Sequence, residues 1–269
     1  MRNVAVVTGA SSGVGREFVR QLDRGAGGPL DAIWLVARRA DVLAQVARET
    51  STATRVLPLD LAEEASCAAL ADALAQEDRA SREAGEGGLN VQWLVNAAGF
   101  GKFGQLRDMD EASLAGMVRL NCLGLLEVTY QALPYAHPGS RVVNLSSIAG
   151  VLPQPRLSAY SATKSFVLEL SRTLDHELKG TGVRVMALCP KFMRTGFLDE
   201  PGDAAAARGM CRIGFTPVDQ VVSRAIRAAV LGRAICIPSA DMRVAAAVAR
   251  VLPAGLVMDL EDVLLRDGE

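Results

Sequence analysis

Histidine is almost missing from this 269-residue chain, which has only His137 and His176. With so few imidazoles and no clustered ligands, no metal site is expected. Cysteine is sparse and scattered. Cys67, Cys122, Cys189, Cys211 and Cys236 are odd in number and form no Cys-x-x-Cys pair. That argues against a disulfide framework and reads as reduced core thiols of a cytoplasmic protein. Aromatic residues make up only 4% against 50% hydrophobic residues, so the core must be built mainly from Ala, Val and Leu. An excess of either charge is also missing: the net charge is -1 and both signs are mixed. No nucleic-acid surface is expected from such a balance. Met1-Arg2-Asn3 runs straight into a strand-like segment, so neither a signal peptide nor an apolar run long enough to span a bilayer is expected. The length suits one large α/β domain or two small ones.

What is present alternates strand and helix. An apolar run from Asn3 to Val7 leads into Thr8-Gly9-Ala10-Ser11-Ser12-Gly13-Val14-Gly15, and Phe18, Val19 and Leu22 then follow at helical spacing. Strand, glycine turn and helix start together form the frame of a dinucleotide site. Glycines admit a pyrophosphate close to the backbone, and free N–H groups at the helix start bind it. The spacing is Gly-x-x-x-Gly-x-Gly, and its place at the first strand–helix junction carries more weight than the motif alone.

The second strand, Ala32 to Ala37, ends without an acidic residue before Asp41; Arg38 and Arg39 stand there instead. An acid would bind a ribose 2′-hydroxyl, whereas arginine suits the 2′-phosphate of NADP. The alternative is that both arginines only solvate a loop. Arg38 is expected to read the phosphate, and Arg39 to point to solvent and add a weaker, screened attraction.

Further strands are expected at Ala53 to Leu59, Val91 to Val95, Arg141 to Leu145, Val183 to Leu188 and Ala234 to Ile237. Glu63 to Leu74 reads as a helix and Gln76 to Asn90 as a polar surface loop or frayed helix end. Glu111 to Tyr135 reads as one long helix. Asn121 in its middle is a poor helix former that could kink it and offer a carbonyl to a water or to Lys164. Pro217 to Leu231 reads as an amphipathic helix. Met242 to Val263 carries an apolar pattern that could cover a substrate pocket, form a subunit contact or lie on a membrane surface.

Tyr160 and Lys164 are four apart at the start of a helical pattern that runs to Lys179, so they share a helix face. A phenol with a pKa near 10 is a poor proton donor or base at neutral pH, and a neighbouring ammonium lowers that value. A hydroxyl such as Ser147, at the end of the preceding strand, can hold a carbonyl or alcohol oxygen. The three together make a proton-transfer site for an oxygen on carbon. Alone, Tyr-x-x-x-Lys arises by chance on many surface helices. Here every candidate sits at the carboxyl edge of the expected strands or on the helix after them, where open parallel sheets bind ligands.

From about Val4 to Thr195 the chain resembles the short-chain dehydrogenase/reductase family. The resemblance rests on Thr8 to Gly15, Asp60-Leu61, Asn96-Ala97-Ala98-Gly99, Asn121, Ser147, Tyr160 and Lys164. It implies a single doubly wound, parallel-sheet Rossmann domain over 1–269, with 190–269 as the substrate-side region and C-terminal apolar segment. It also implies a nicotinamide cofactor, NADP(H) preferred and NAD(H) possible. Cofactor contacts are implied at Gly9, Ser11, Ser12, Gly13, Val14, Gly15, Arg38, Arg39, Asp60, Leu61, Asn96, Ala97, Ala98, Gly99, Tyr160, Lys164, Pro190 and Thr195. By the same resemblance Tyr160 is the general acid/base, Ser147 holds the substrate oxygen, Lys164 binds the nicotinamide ribose and lowers the tyrosine pKa, and Asn121 holds a relay water. Ser147 rather than Ser146 stands at the family's spacing before the tyrosine.

Two departures stand out. Ala97 replaces the family's second Asn, and Lys191 replaces the glycine after Pro190. The stretch from Val151 to Phe197 is similar to the branch of long-chain 3-ketoacyl reductases and hydroxysteroid dehydrogenases. The expected substrate is an apolar ketone or secondary alcohol, in a pocket of Leu152, Pro153, Leu157, Phe192, Met193 and Phe197. The alternatives are a 3-ketoacyl thioester reductase, or a cofactor-sensing protein with little catalysis. In the resembling family the helices of Glu111 to Tyr135 and Ser158 to Lys179 pair across a two-fold axis, which implies a homodimer or homotetramer.

Overall fold

The structure is a computed structural model, and it describes residues 1–152, 154–193, 214–253 and 255–259. Its sheet has seven strands: β1 Arg2–Thr8, β2 Ala32–Ala37, β3 Thr54–Pro58, β4 Leu89–Asn96, β5 Arg141–Leu145, β6 Arg184–Leu188 and β7 Ile235–Cys236. Their order is β3-β2-β1-β4-β5-β6-β7, with every pairing parallel. The chain therefore winds outward from β1 in one direction, returns, and winds outward in the other from β4. Such a reversal opens a crevice at the carboxyl ends of β1 and β4.

The strands read as near-continuous apolar runs because helices cover both faces. Side chains alternate between faces along each strand. Ala5, Val7, Ile33, Leu35, Val95 and Met186 meet one helix layer, formed by α1 (Gly13–Asp23), α2 (Ala40–Glu49) and α7 (Val218–Val230). Val4, Val6, Trp34, Val36, Leu94 and Val185 meet the other, where α3 (Glu64–Glu83) and α5 (Leu125–Ala132) pack. α6 (Ser158–Glu177) follows β5, and α8 (Ala240–Ala249) follows β7.

Two elements differ from expectation. α3 continues to Glu83, well into the stretch expected as a loop. Its last turns are rich in helix-forming Glu, Gln, Ala and Arg. They are anchored as well: Asp78 pairs with Arg82 at 2.8 Å and accepts the Leu89 N–H at 2.9 Å, while buried Ser81 donates to the Gly88 carbonyl at 3.0 Å. The long helix from Glu111 is not uniform. α4 (Glu111–Val118) passes into one widened, π-type turn, Arg119–Gly124, and then into α5. Gly124 explains the tight fit, because a side chain there would collide with the Leu61 carbonyl. Contrary to the sequence expectation, the run Glu111–Tyr135 is long and apolar enough to cross a membrane by length and composition. In this fold its buried residues Met117, Leu125, Val128 and Ala132 lie in the protein interior.

Candidate active site

The crevice at the switch point is a cleft of about 620 Å³. One wall is the glycine turn between β1 and α1. Gly9 has φ +67°, and a Cβ there would lie 2.7 Å from the Ala97 carbonyl oxygen, so this turn needs glycine to meet the β4 loop. Thr8 Oγ1 fastens that loop by accepting the N–H groups of Ala97 and Ala98, both at 3.1 Å. Ser12 caps α1 without a side-chain hydrogen bond, and the first helical turn carries no acid. The helix start therefore presents N–H groups and positive dipole with no carboxylate to neutralise them, which suits a pyrophosphate. Gly9, Ser11, Ser12, Gly13 and Val14 line the cleft. Gly15 lies behind the wall, packed on the Gly9 carbonyl. Asn96 is also set back: it is 1% exposed, and its Nδ2 donates to Thr129 Oγ1 and Asn144 Oδ1, both at 2.9 Å. Of the loop expected to touch the cofactor, Ala97, Ala98 and Gly99 form the cleft wall.

Arg38, Arg39, Asp60 and Leu61 line the far end. Arg38 is largely exposed, with Nη1 3.9 Å from Asp60 Oδ2. Arg39 does not simply point to solvent, as expected; its Nη2 donates to Ser11 Oγ at 3.2 Å, bringing the guanidinium back over the glycine turn. Both cations therefore border the same end of the cleft.

The other end gathers Ser146, Ser147, Tyr160, Lys164, Pro190 and Lys191. The two adjacent serines have different work. Ser146 Oγ donates to the Lys164 carbonyl at 2.7 Å and so fixes α6 to the end of β5. Ser147 accepts the Ala149 N–H at 3.2 Å and is hydrogen-bonded to Tyr160. Lys164 is 4% exposed; its Nζ donates to the Leu145 carbonyl at 2.8 Å and lies 5.6 Å from the centre of the Tyr160 ring. Burial depresses its pKa to about 8. Burial also pushes the Tyr160 phenol up to about 12, against the opposing hydrogen bond from Ser147. The expected lowering of the phenol by the ammonium is not found: loss of solvation sets the direction, and the only opposing contribution comes from Ser147.

Asn121 sits in the widened turn, 1% exposed. Its Oδ1 accepts the Phe100 N–H at 3.1 Å, and its Nδ2 donates to the Phe100 carbonyl at 2.8 Å and to Thr163 Oγ1 at 3.2 Å. Its side-chain carbonyl is thus committed to Phe100 and holds the loop after β4. The sequence places Phe100 to Gly104 as a partly aromatic loop at the mouth of the site, and Phe100 and Phe103 do line the cleft; what sequence reading missed is Thr163 as the link between Asn121 and α6. Thr163 was findable, lying between Tyr160 and Lys164; the Phe100 contact required the fold. Of the expected apolar pocket, Phe192 and Met193 line the cleft. Leu152 packs instead with Ile148 and Val257, and Leu157 is buried just before α6. Pro153, Thr195 and Phe197 lie outside the described residues, as does the end of the C-terminal apolar pattern from 260 onward. Among the described residues no group of three or more His, Cys, Asp or Glu could hold a metal ion.

Comparison with known proteins agrees with this fold. A family model described as short chain dehydrogenase matches residues 3–205. Sulfoacetaldehyde reductase 2 of Chromohalobacter salexigens is 34% identical over 223 residues, covering 79% of this chain and 82% of that protein. Very-long-chain 3-oxoacyl-CoA reductase of Anas platyrhynchos is 32% identical over 204 residues, covering 71% of this chain and 60% of that longer protein. Among solved structures, a short-chain dehydrogenase from Sphingobium yanoikuyae in complex with NADPH superposes with a TM-score of 0.73 at 26% identity, covering 93% of this chain and 94% of that one. A short-chain dehydrogenase/reductase from Burkholderia phymatum in complex with NAD gives 0.77 at 26% identity, covering 99% and 96%.

Proposed function

The chain belongs to the short-chain dehydrogenase family of oxidoreductases acting on CH–OH and C=O groups, and from that premise we propose that it interconverts a ketone and a secondary alcohol with NADP(H). The observation that carries this reading is the Ser147–Tyr160 pair, with Lys164 behind it, at one end of the cleft whose other end is the glycine turn. Bound in that cleft, a nicotinamide dinucleotide supplies the hydride donor or acceptor. Gly9, Ser11, Ser12, Gly13, Val14 and the Ala97–Gly99 backbone would hold its diphosphate side, and Arg38 and Arg39 its 2′-phosphate. No carboxylate at the end of the second strand repels that phosphate, and NAD(H) remains usable because it forfeits only the phosphate contacts.

Ser147 holds the substrate oxygen by hydrogen bonding and orients it toward the phenol. Tyr160 gives its proton to that oxygen in reduction and takes it back in oxidation. A phenol kept protonated by burial is well suited to the donating direction. Lys164 is fixed by the Leu145 carbonyl and by its own helix, so it supplies a positioned donor for a ribose hydroxyl. Because the Asn121 side chain is committed to Phe100, any relay through this residue uses its main-chain carbonyl. Pro190 would complete the nicotinamide end in this reading.

Phe192 and Met193 favour an apolar substrate body. A 3-oxoacyl thioester is the second reading, favoured by the 32% identical long-chain relative. Assembly is proposed as a homodimer or homotetramer through α4–α5 and α6, where Val118, Leu123, Tyr130 and Phe166 are exposed at 53%, 50%, 77% and 40%. The test is Tyr160→Phe, which keeps the ring and removes the proton. Turnover on a ketone panel should fall about 100-fold or more while NADPH binding survives. Near-normal turnover in the variant would remove Tyr160 from the chemistry and favour a cofactor-sensing role for the fold.

A further inference from the structure

At the substrate end of the cleft a lysine stands where the resembling family has glycine. Lys191 lines the cleft with Ser147, Tyr160, Phe192 and Met193. Its loop is held in place: the Pro190 carbonyl accepts the Ile148 N–H at 2.9 Å, which couples the turn to the segment after Ser147. The Lys191 side chain is only 11% exposed, and its Nζ is 2.6 Å from Asp241 Oδ2, in the first turn of α8. Asp241 does not line the cleft and is 49% exposed. Among the described lining residues the sole carboxylate is Asp60, at the opposite end beside Arg38.

This pair is asymmetric. A lysine so little exposed cannot be fully hydrated and depends on an anion near its ammonium. A carboxylate that keeps half of its exposure loses little when it turns away to water. The ammonium can therefore exchange one anion for another, provided the newcomer arrives from the cleft. Resting on the reductase reading above, we propose that Lys191 recognises an oxyanion on the substrate, so that the carbonyl compound carries a carboxylate or sulfonate beyond its reacting carbon. Asp241 occupies the ammonium between turnovers and competes with that anion. Phe192 and Met193 contact the apolar stretch between the carbonyl and the charge.

Competition and simple tethering make opposite forecasts. If the pair only straps α8 to the cleft, breaking it from either side has the same effect. If Asp241 competes with the substrate anion, removing the lysine weakens anion binding and removing the aspartate strengthens it. The probes are 5-oxohexanoate and its neutral isostere 5-oxohexanamide, compared by calorimetric binding to the full-length protein and by kcat/KM with NADPH. The unmutated protein should favour the acid by about tenfold or more. Lys191→Met should abolish that preference, weakening the acid about tenfold more than it changes the amide. Asp241→Asn should tighten binding of the acid and not of the amide. Equal binding of acid and amide by the unmutated protein overturns the proposal, as does parallel weakening by both variants. The calorimetry reads Lys191 even if neither compound is reduced, whereas the Tyr160→Phe assay tests the reductase reading by itself.

Discussion

Lys164→Met separates what the buried ammonium does for chemistry from what it does to stability. Lys164 is 4% exposed, and burial brings its pKa from 10.5 to about 8. A base whose pKa falls on folding opposes folding wherever the unfolded chain holds the proton more tightly. The penalty is complete below about pH 8, shrinks as pH rises, and vanishes above the unfolded value of 10.5. Linkage puts it at about 3 kcal/mol near pH 6.5 and about 1 kcal/mol near pH 9.5. Methionine carries no proton and escapes this penalty, but it leaves the Leu145 carbonyl without its 2.8 Å donor. That loss costs about 1–3 kcal/mol at either pH. The absolute difference between the two proteins is therefore modest, and the change with pH is the informative quantity. In urea unfolding without added nucleotide, the unmutated protein should gain about 2 kcal/mol on the variant between about pH 6.5 and about pH 9.5. A difference that stays flat, or that widens in favour of the variant, would refute the assignment of a protonated lysine to this wall. Turnover should be largely lost in the variant throughout.

Cofactor choice follows from the arginines at the end of β2: kcat/KM should favour NADPH over NADH by about tenfold or more, and Arg38→Ala should remove most of that preference. Equal efficiency with both nucleotides in the unmutated protein would reduce Arg38 and Arg39 to loop solvation. The exposed apolar stripe on α4–α5 and α6 predicts a dimer or tetramer in sedimentation, which Tyr130→Lys with Phe166→Asp should dissociate. A concentration-independent monomer of the unmutated protein excludes it. Asp175, 8% exposed, accepts both Arg184 nitrogens at 2.8 and 2.9 Å and the Val185 N–H at 2.9 Å. Because the Arg184 side chain keeps 39% of its exposure and can turn to water, Asp175→Ala should lower unfolding stability by about 1–3 kcal/mol, and a loss well under about 1 kcal/mol in denaturant would show this clamp to be dispensable.

The strands were legible because a doubly covered parallel sheet writes itself as apolar runs ended by glycine, proline or polar residues; β2 and β5 were read to the residue. The cleft was legible because its donors are grouped by spacing, Gly9 to Gly15 on one turn and Tyr160 with Lys164 on one helix face. Four things were not. The far turns of α3 depend on anchors to β4 and Gly88 that are distant in sequence. The widened turn depends on the close approach of Gly124 to Leu61. The contact of Arg39 with Ser11 spans two loops that meet only across the β1–β2 pairing. The pKa values of Tyr160 and Lys164 depend on how deeply the wall is buried, and spacing along one helix carries no information about solvation.

The widened turn at Arg119–Gly124 puts one continuous helix into two rotational frames. An α-helix advances by about 100° per residue, so the extra residue of a π-type turn shifts the phase of everything after it. Val128 and Ala132 face the interior, and Leu126 and Tyr130 face outward, only because that residue is present. Losing one residue from this turn would let regular winding resume and would rotate the rest of the helix by about a quarter of a circle. Leu126 and Tyr130 would swing toward the sheet, and Asn121 would lose its register with Phe100 and Thr163. The segment is thus constrained in length as strictly as in composition. The glycine-rich turn at 85–88, which joins α3 to β4, has no such phase to keep; its constraint is the pair of anchors from Ser81 and Asp78.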